Sequence, residues 1–149
     1  MTSIEQAAQD KTSYYGTKQM VSHVEGKALA NAGFVAMMDA SYLAPTESEI
    51  KTIMMADKTQ LINAMNYSTT AKAYLKQLLV DNKSWAVSPE TNSALSAREV
   101  QLLQFAKEIN DPDDEWNRLR PLAFAYGYQN SDARAVVFAV MAHEFKKVK

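Results

Sequence analysis

Apolar positions along this chain recur at helical spacing, and the gaps between the runs carry residues that cap helices. Among Met20, Val21, Val24, Ala28, Phe34, Val35 and Met38, spacings of three, four and seven recur, with one interruption between Ala28 and Phe34. Gly26 and Gly33 each disfavour helix by about 1 kcal/mol relative to alanine, so a break or kink is expected near Asn31 and Gly33. Thr46, with Glu49 three residues on, is a capping-box pattern that starts a new helix after Pro45.

The next stripe is Ile50, Ile53, Met54, Leu61, Ala64 and Met65, and Asp57 interrupts it on the same face. Two readings account for that carboxylate. Asp57 with Gln60 is itself a cap, which divides the segment into helices near 47–56 and 58–65; or Asp57 is a semi-buried carboxylate with a basic partner. Ser68 or Thr69 then caps a helix with Ala71, Tyr74, Leu75, Leu78 and Leu79 on one face and Lys72, Lys76 and Lys83 on the other.

From Asp81 to Ser96 the periodicity fails among Asn82, Ser84, Ser88, Pro89, Thr91, Asn92 and Ser93, a long loop that carries Trp85 and Val87. Ser96 and Glu99 form a second capping box, leading into Leu102, Phe105, Ala106 and Ile109. Asp111 before Pro112 marks a further start, with Trp116, Leu119 and Leu122 facing inward and Pro121 as a kink or restart. Gly127 is expected to end that helix in a left-handed cap, and Ser131 to begin the last one.

That last helix is apolar nearly all round at Ala133, Val136, Val137, Phe138, Val140, Met141 and Phe145, as a central helix must be. Read alone, the run around Val136–Val140 is also compatible with a buried strand. The expected architecture is an all-α, bundle-like single domain over residues 1–149, with six to eight helices around an apolar C-terminal helix.

Composition narrows the function more by exclusion than by signature. Sixteen basic and 17 acidic residues give a formal charge of −1, and from Ser96 onward acids and bases balance at eight each. No positive field for nucleic acid or an anionic membrane is offered. The longest apolar run, Ala135 to Ala142, is far short of the roughly 20 residues that cross a bilayer, and Met1 to Asp10 lacks an apolar signal core. Absence of cysteine excludes disulfides and thiolate metal clusters and favours a cytoplasmic location.

His23 and His143, with Glu25 and Glu144 nearby, lack the three- or four-residue spacing that places two metal ligands on one helix face, so no metal and no cofactor is expected. No nucleophile elbow or phosphate-binding glycine loop is present. Asp111, Asp113, Asp114 and Glu115 are acidic enough for general acid-base work, yet a helix start alone accounts for them.

What remains is surplus apolar and aromatic surface. Met55 and Ile62, seven residues apart, would share a flank; Tyr14, Tyr15 and Trp85 lie outside any stripe. These five residues are the candidate partner contacts, unless they fold onto the core, and Asp57 is the candidate buried or capping carboxylate. The function expected is a non-enzymatic protein-protein interaction module that acts as adaptor, inhibitor or self-assembling component, with another protein or itself as partner. One alternative is a DNA-binding regulator or packaging factor that uses a helix-turn-helix-like stretch from Leu119 to Ala142, with Gln129, Asn130 and Arg134 reading bases. A second is an enzyme whose site is assembled across helices.

Overall fold

The computed structural model describes Ile4 and residues 24–38, 42–111 and 119–148. Tyr14, Tyr15, His23, Trp116 and the acids Asp113, Asp114 and Glu115 lie outside the described residues. Among the described residues every regular element is a helix and there is no strand, so Val136–Val140 is helix. A helical stretch over residues 24–29 precedes α1 (Ala32–Met37), α2 (Glu47–Met55), α3 (Lys58–Ala64), α4 (Thr69–Leu79), a single 3-10 turn at Pro89–Thr91, α5 (Ala97–Ile109), α6 (Leu119–Tyr128) and α7 (Asp132–Val148).

The caps are those the side chains dictate. Asn31 ends the first stretch and starts α1, its Oδ1 accepting from Phe34 N at 3.0 Å. Thr46, Asp57, Ser68 and Ser96 accept from the amides of Glu49, Gln60, Ala71 and Glu99 at the starts of α2 to α5. Each satisfies an amide that has no partner inside its helix, a contribution of about 1 kcal/mol apiece. Ser131 does the same for α7, accepting from Arg134 N at 3.2 Å.

The spine of the domain is the hairpin of α6 and α7. Helix α7 folds back so that Tyr126 meets Phe138 edge-on, with 5.2 Å between ring centroids. Helices α1 and α2 also pack on α7, while α2 and α5 pack on α6 and α4 joins α3 to α5. Every residue of α7 from Ala133 to Ala142 is buried, which explains why this helix has no polar face. Val136, Val137, Phe138, Val140 and Met141 each contribute about 1.5–3 kcal/mol of apolar burial.

Gly127 does not end a helix. It lies inside α6, and no described glycine has a positive φ, so the expected left-handed cap is absent. Its role is close approach: a Cβ built on Gly127 would stand 2.5 Å from the Arg134 carbonyl oxygen and 2.8 Å from Ala135 Cα. Lack of a side chain is what lets α7 lie directly on α6 at the turn.

Candidate functional site

The loop between α4 and α5 is shaped by side chains reaching out from α4. Asn82 takes a φ of 53°, a left-handed conformation that asparagine tolerates well, and turns the chain off the helix. Lys83 N then bonds to Gln77 O, and Gln77 Nε2 donates to Ser84 O at 2.5 Å. Trp85 follows, its indole N–H donating to Tyr74 O at 2.9 Å and its ring lying edge-on to Tyr74 at 5.2 Å.

Tyr74 holds the far side of the loop as well. Its hydroxyl donates to Val87 O at 3.0 Å and accepts from Asn92 Nδ2 at 3.2 Å. Buried Pro89 opens the 3-10 turn, and Gln104 of α5 donates to Glu90. A segment that lacks helical periodicity is therefore tied down at both sides, with Trp85 half-buried and Val87 beside it 53% exposed. Lys107 Nζ stands 5.9 Å from the Trp85 ring centroid, within cation-π range.

Depressions open on several sides of this tryptophan. One of about 220 Å³ is lined by Leu78, Asn82, Lys83, Ser84, Lys107 and Asn110 together with Trp85. A second, about 430 Å³, includes Thr70, Tyr74, Val87 and Asn92, and a third, about 520 Å³, includes Pro89, Glu90, Gln104 and Lys107.

A second polar centre lies where α2 meets α7. Arg134 Nη2 stands 2.6 and 2.7 Å from the two Glu49 oxygens, and its Nε donates to Leu43 O at 2.8 Å. The Tyr126 hydroxyl donates to Glu49 Oε2 at 2.9 Å. Only 10% of the Arg134 side chain and 22% of the Glu49 side chain are exposed. Burial by itself would raise the Glu49 pKa, but hydrogen bonds from Arg134, Tyr126 and Thr46 outweigh it and hold the carboxyl below its ordinary range. Nearby, burial pushes the Tyr42 hydroxyl up to about 12, with the Glu25 charge adding and Arg134 opposing.

Glu99 forms a third centre by capping two helices at once. Its oxygens accept from Ser68 N at 2.8 Å and Ser68 Oγ at 3.1 Å while also accepting from Ser96 N at 3.1 Å. Burial opposes ionisation here too, and the bonds from Ser68 and Ser96 more than offset it, leaving the pKa lowered. Glu99→Ala should therefore destabilise the domain by about 2 kcal/mol, twice an ordinary cap loss, because the starts of α4 and α5 both lose an acceptor. Urea denaturation checks this: a loss matching a single cap would mean that Ser68 finds another acceptor.

The resolved titration shifts all lead away from neutrality. Tyr42, Tyr67, Tyr126 and Tyr128 are raised and Glu49 and Glu99 lowered, so none of these six is poised to exchange a proton near pH 7. Among the described residues no three histidine or carboxylate side chains gather as metal ligands.

The expected contact residues are dispersed. Met55, at the end of α2, is 72% exposed, whereas Ile62 is fully buried in the core. They form no common flank, because the chain turns at Ala56 and Asp57 and α3 starts in a new register. Asp57 is an exposed N-cap, its Oδ1 accepting from Gln60 N at 3.0 Å, rather than a buried charge with a basic partner. Trp85 lines three depressions, and Met55 borders a separate shallow one of about 540 Å³ with Glu47, Ser48, Lys51 and Thr52.

The base-reading residues of the DNA alternative are engaged within the fold. Gln129 accepts from Asn66 N and donates to Tyr126 O, Asn130 accepts from Leu43 N, and Arg134 pairs with Glu49. The Glu49–Arg134 pair itself is not legible in the sequence: a lone arginine among apolar positions signals that some partner exists, but Glu49 has a local role in the cap.

Fold and surface together define an all-α domain with a hairpin spine and a tied, tryptophan-bearing loop. Compared with known proteins, the chain matches no family model, no curated protein and no solved structure.

Proposed function

We propose that this chain is a non-enzymatic, cytoplasmic protein-protein interaction module that meets its partner, another protein or a second copy of itself, through the loop over residues 80–96. The observation that carries this reading is the combination at Trp85 and Val87: backbone and side chain are held from within by Tyr74, while Val87 and part of the indole face outward. A surface ordered before binding avoids the loss of about 0.5–1.5 kcal/mol per side chain that ordering would otherwise take from affinity. Tryptophan is also among the residues that most often dominate binding energy. The cysteine-free composition supports the location, and among the described residues no helix is long and apolar enough to cross a membrane.

The test uses Val87→Asp, since an exposed valine can be exchanged without opening the core. Partner capture from lysate of the native source, with nuclease present, should weaken at least about tenfold while the melting temperature stays unchanged. Trp85→Ala should also reduce capture, though it removes the Tyr74 contacts as well. Light scattering on dilution distinguishes self-association from a different partner. Capture undiminished by Val87→Asp would remove the loop from the interface.

A further inference from the structure

The cavity of about 220 Å³ beside Trp85 joins apolar walls to cations drawn from two separate elements. Leu78 and Trp85 supply the apolar surface; Lys83 comes from the loop and Lys107 from α5. Among the described residues, neither lysine forms an ion pair and no carboxylate lines the cavity. Asp81, Glu108 and Asp111 are the acids adjacent in sequence, and none of them is part of the lining. The volume is below the roughly 300–1,000 Å³ of sites for drug-sized ligands, so it suits one residue rather than a nucleotide.

We infer that this cavity receives an apolar residue bearing a free carboxylate at the C-terminal end of a partner protein. The apolar side chain lies against Leu78 and the Trp85 ring, and the carboxylate lies between the Lys83 and Lys107 ammonium groups. This inference rests on the loop being the contact surface. An uncharged apolar segment would leave both lysines facing a desolvated interface without a counter-charge, which disfavours it. A chain end also brings side chain and charge together in one residue, as the small volume requires.

N-acetyl-leucine and N-acetyl-leucinamide, which differ in the charge alone, are the probes. The indole N–H resonance of Trp85, assigned with Trp85→Phe, reports occupancy in the full chain. With about twelve non-hydrogen atoms, N-acetyl-leucine should bind with a Kd on the order of 1 mM. The amide should bind several-fold more weakly, and Lys83→Gln or Lys107→Gln should each weaken the acid by roughly two- to five-fold, the range of an exposed ion pair. Added salt should reduce the difference between the probes.

An indole signal that ignores both probes, or responds equally to both, overturns the carboxylate site. If Val87→Asp still abolishes capture in that case, the loop reading stands without it. Binding of N-acetyl-leucine that leaves partner capture undiminished at saturation also overturns the inference, because the cavity would then serve a free small carboxylate. Competition between N-acetyl-leucine and the captured partner, lost in Lys83→Gln, supports it.

Discussion

Glu49→Ala should lower the stability of the domain by about 3 kcal/mol, well beyond the effect of an ordinary surface substitution. The reason is what it leaves behind: Arg134 remains nine-tenths covered with its counter-charge gone. Breaking a buried pair in this way costs about 3–5 kcal/mol, and the partial exposure of Glu49 places the expected value at the lower end. Arg134→Leu should cost less, since Glu49 keeps its bonds to Tyr126 and Thr46 and has more access to water. The double variant should be more stable than the sum of the two single losses predicts, because no charge is then stranded.

The pH dependence follows from the same geometry. A carboxyl held below its ordinary value of 4.5 stabilises the fold fully above that value and loses its contribution as pH falls through the lowered folded pKa. Stability should be insensitive to this pair between pH 7 and pH 5 and decline below 4.5. In Glu49→Ala that decline should be shallower, with a remainder from Glu99, whose pKa is lowered as well. Urea midpoints across the acid range measure both effects. Equal acid slopes in the two proteins would mean that the pair contributes nothing beyond the caps.

Gly127→Ala should destabilise by about 3 kcal/mol even though alanine is the better helix former by about 1 kcal/mol. The new methyl meets the Arg134 carbonyl oxygen at 2.5 Å and the Ala135 backbone at 2.8 Å, and backbone cannot rotate aside as a side chain would. Helix α7 must move off α6, loosening the contacts that bury Phe138 and its neighbours, in the range expected for overpacking. The displacement would also strain the Arg134–Glu49 geometry, so the two sites should not behave additively. A neutral or stabilising Gly127→Ala would show that the hairpin can open at no cost, and thermal melts suffice to decide it.

These predictions separate two kinds of information in the chain. Short-range chemistry was readable directly. Thr46, Asp57, Ser68 and Ser96 each sit three residues before the amide they accept from, so their caps depend on neighbours that sequence spacing already specifies. The split between α2 and α3 and the break at Asn31 follow from the same locality. The all-round apolar run from Ala135 to Ala142 likewise told that the last helix is central, because a helix without a polar face has to be enclosed.

Long-range pairing is not encoded in local spacing. Gly127 is compatible with a left-handed cap or with a close helix crossing, and only the position of the Arg134 backbone distinguishes them. Glu99 looked complete as the partner of Ser96, yet its carboxylate has spare acceptor capacity that Ser68, 31 residues earlier, takes up. Glu49 is bound to Arg134 across 85 residues, and nothing in the local pattern encodes that separation. The candidate surface divides the same way: burial of Ile62 and exposure of Met55 were decided by the turn at Asp57, and Trp85 acquired its setting from Tyr74 and Lys107. Local spacing determined where helices begin and why the last is enclosed. Tertiary packing decided which polar groups meet and which apolar ones still face solvent, because those depend on how whole helices lie against each other.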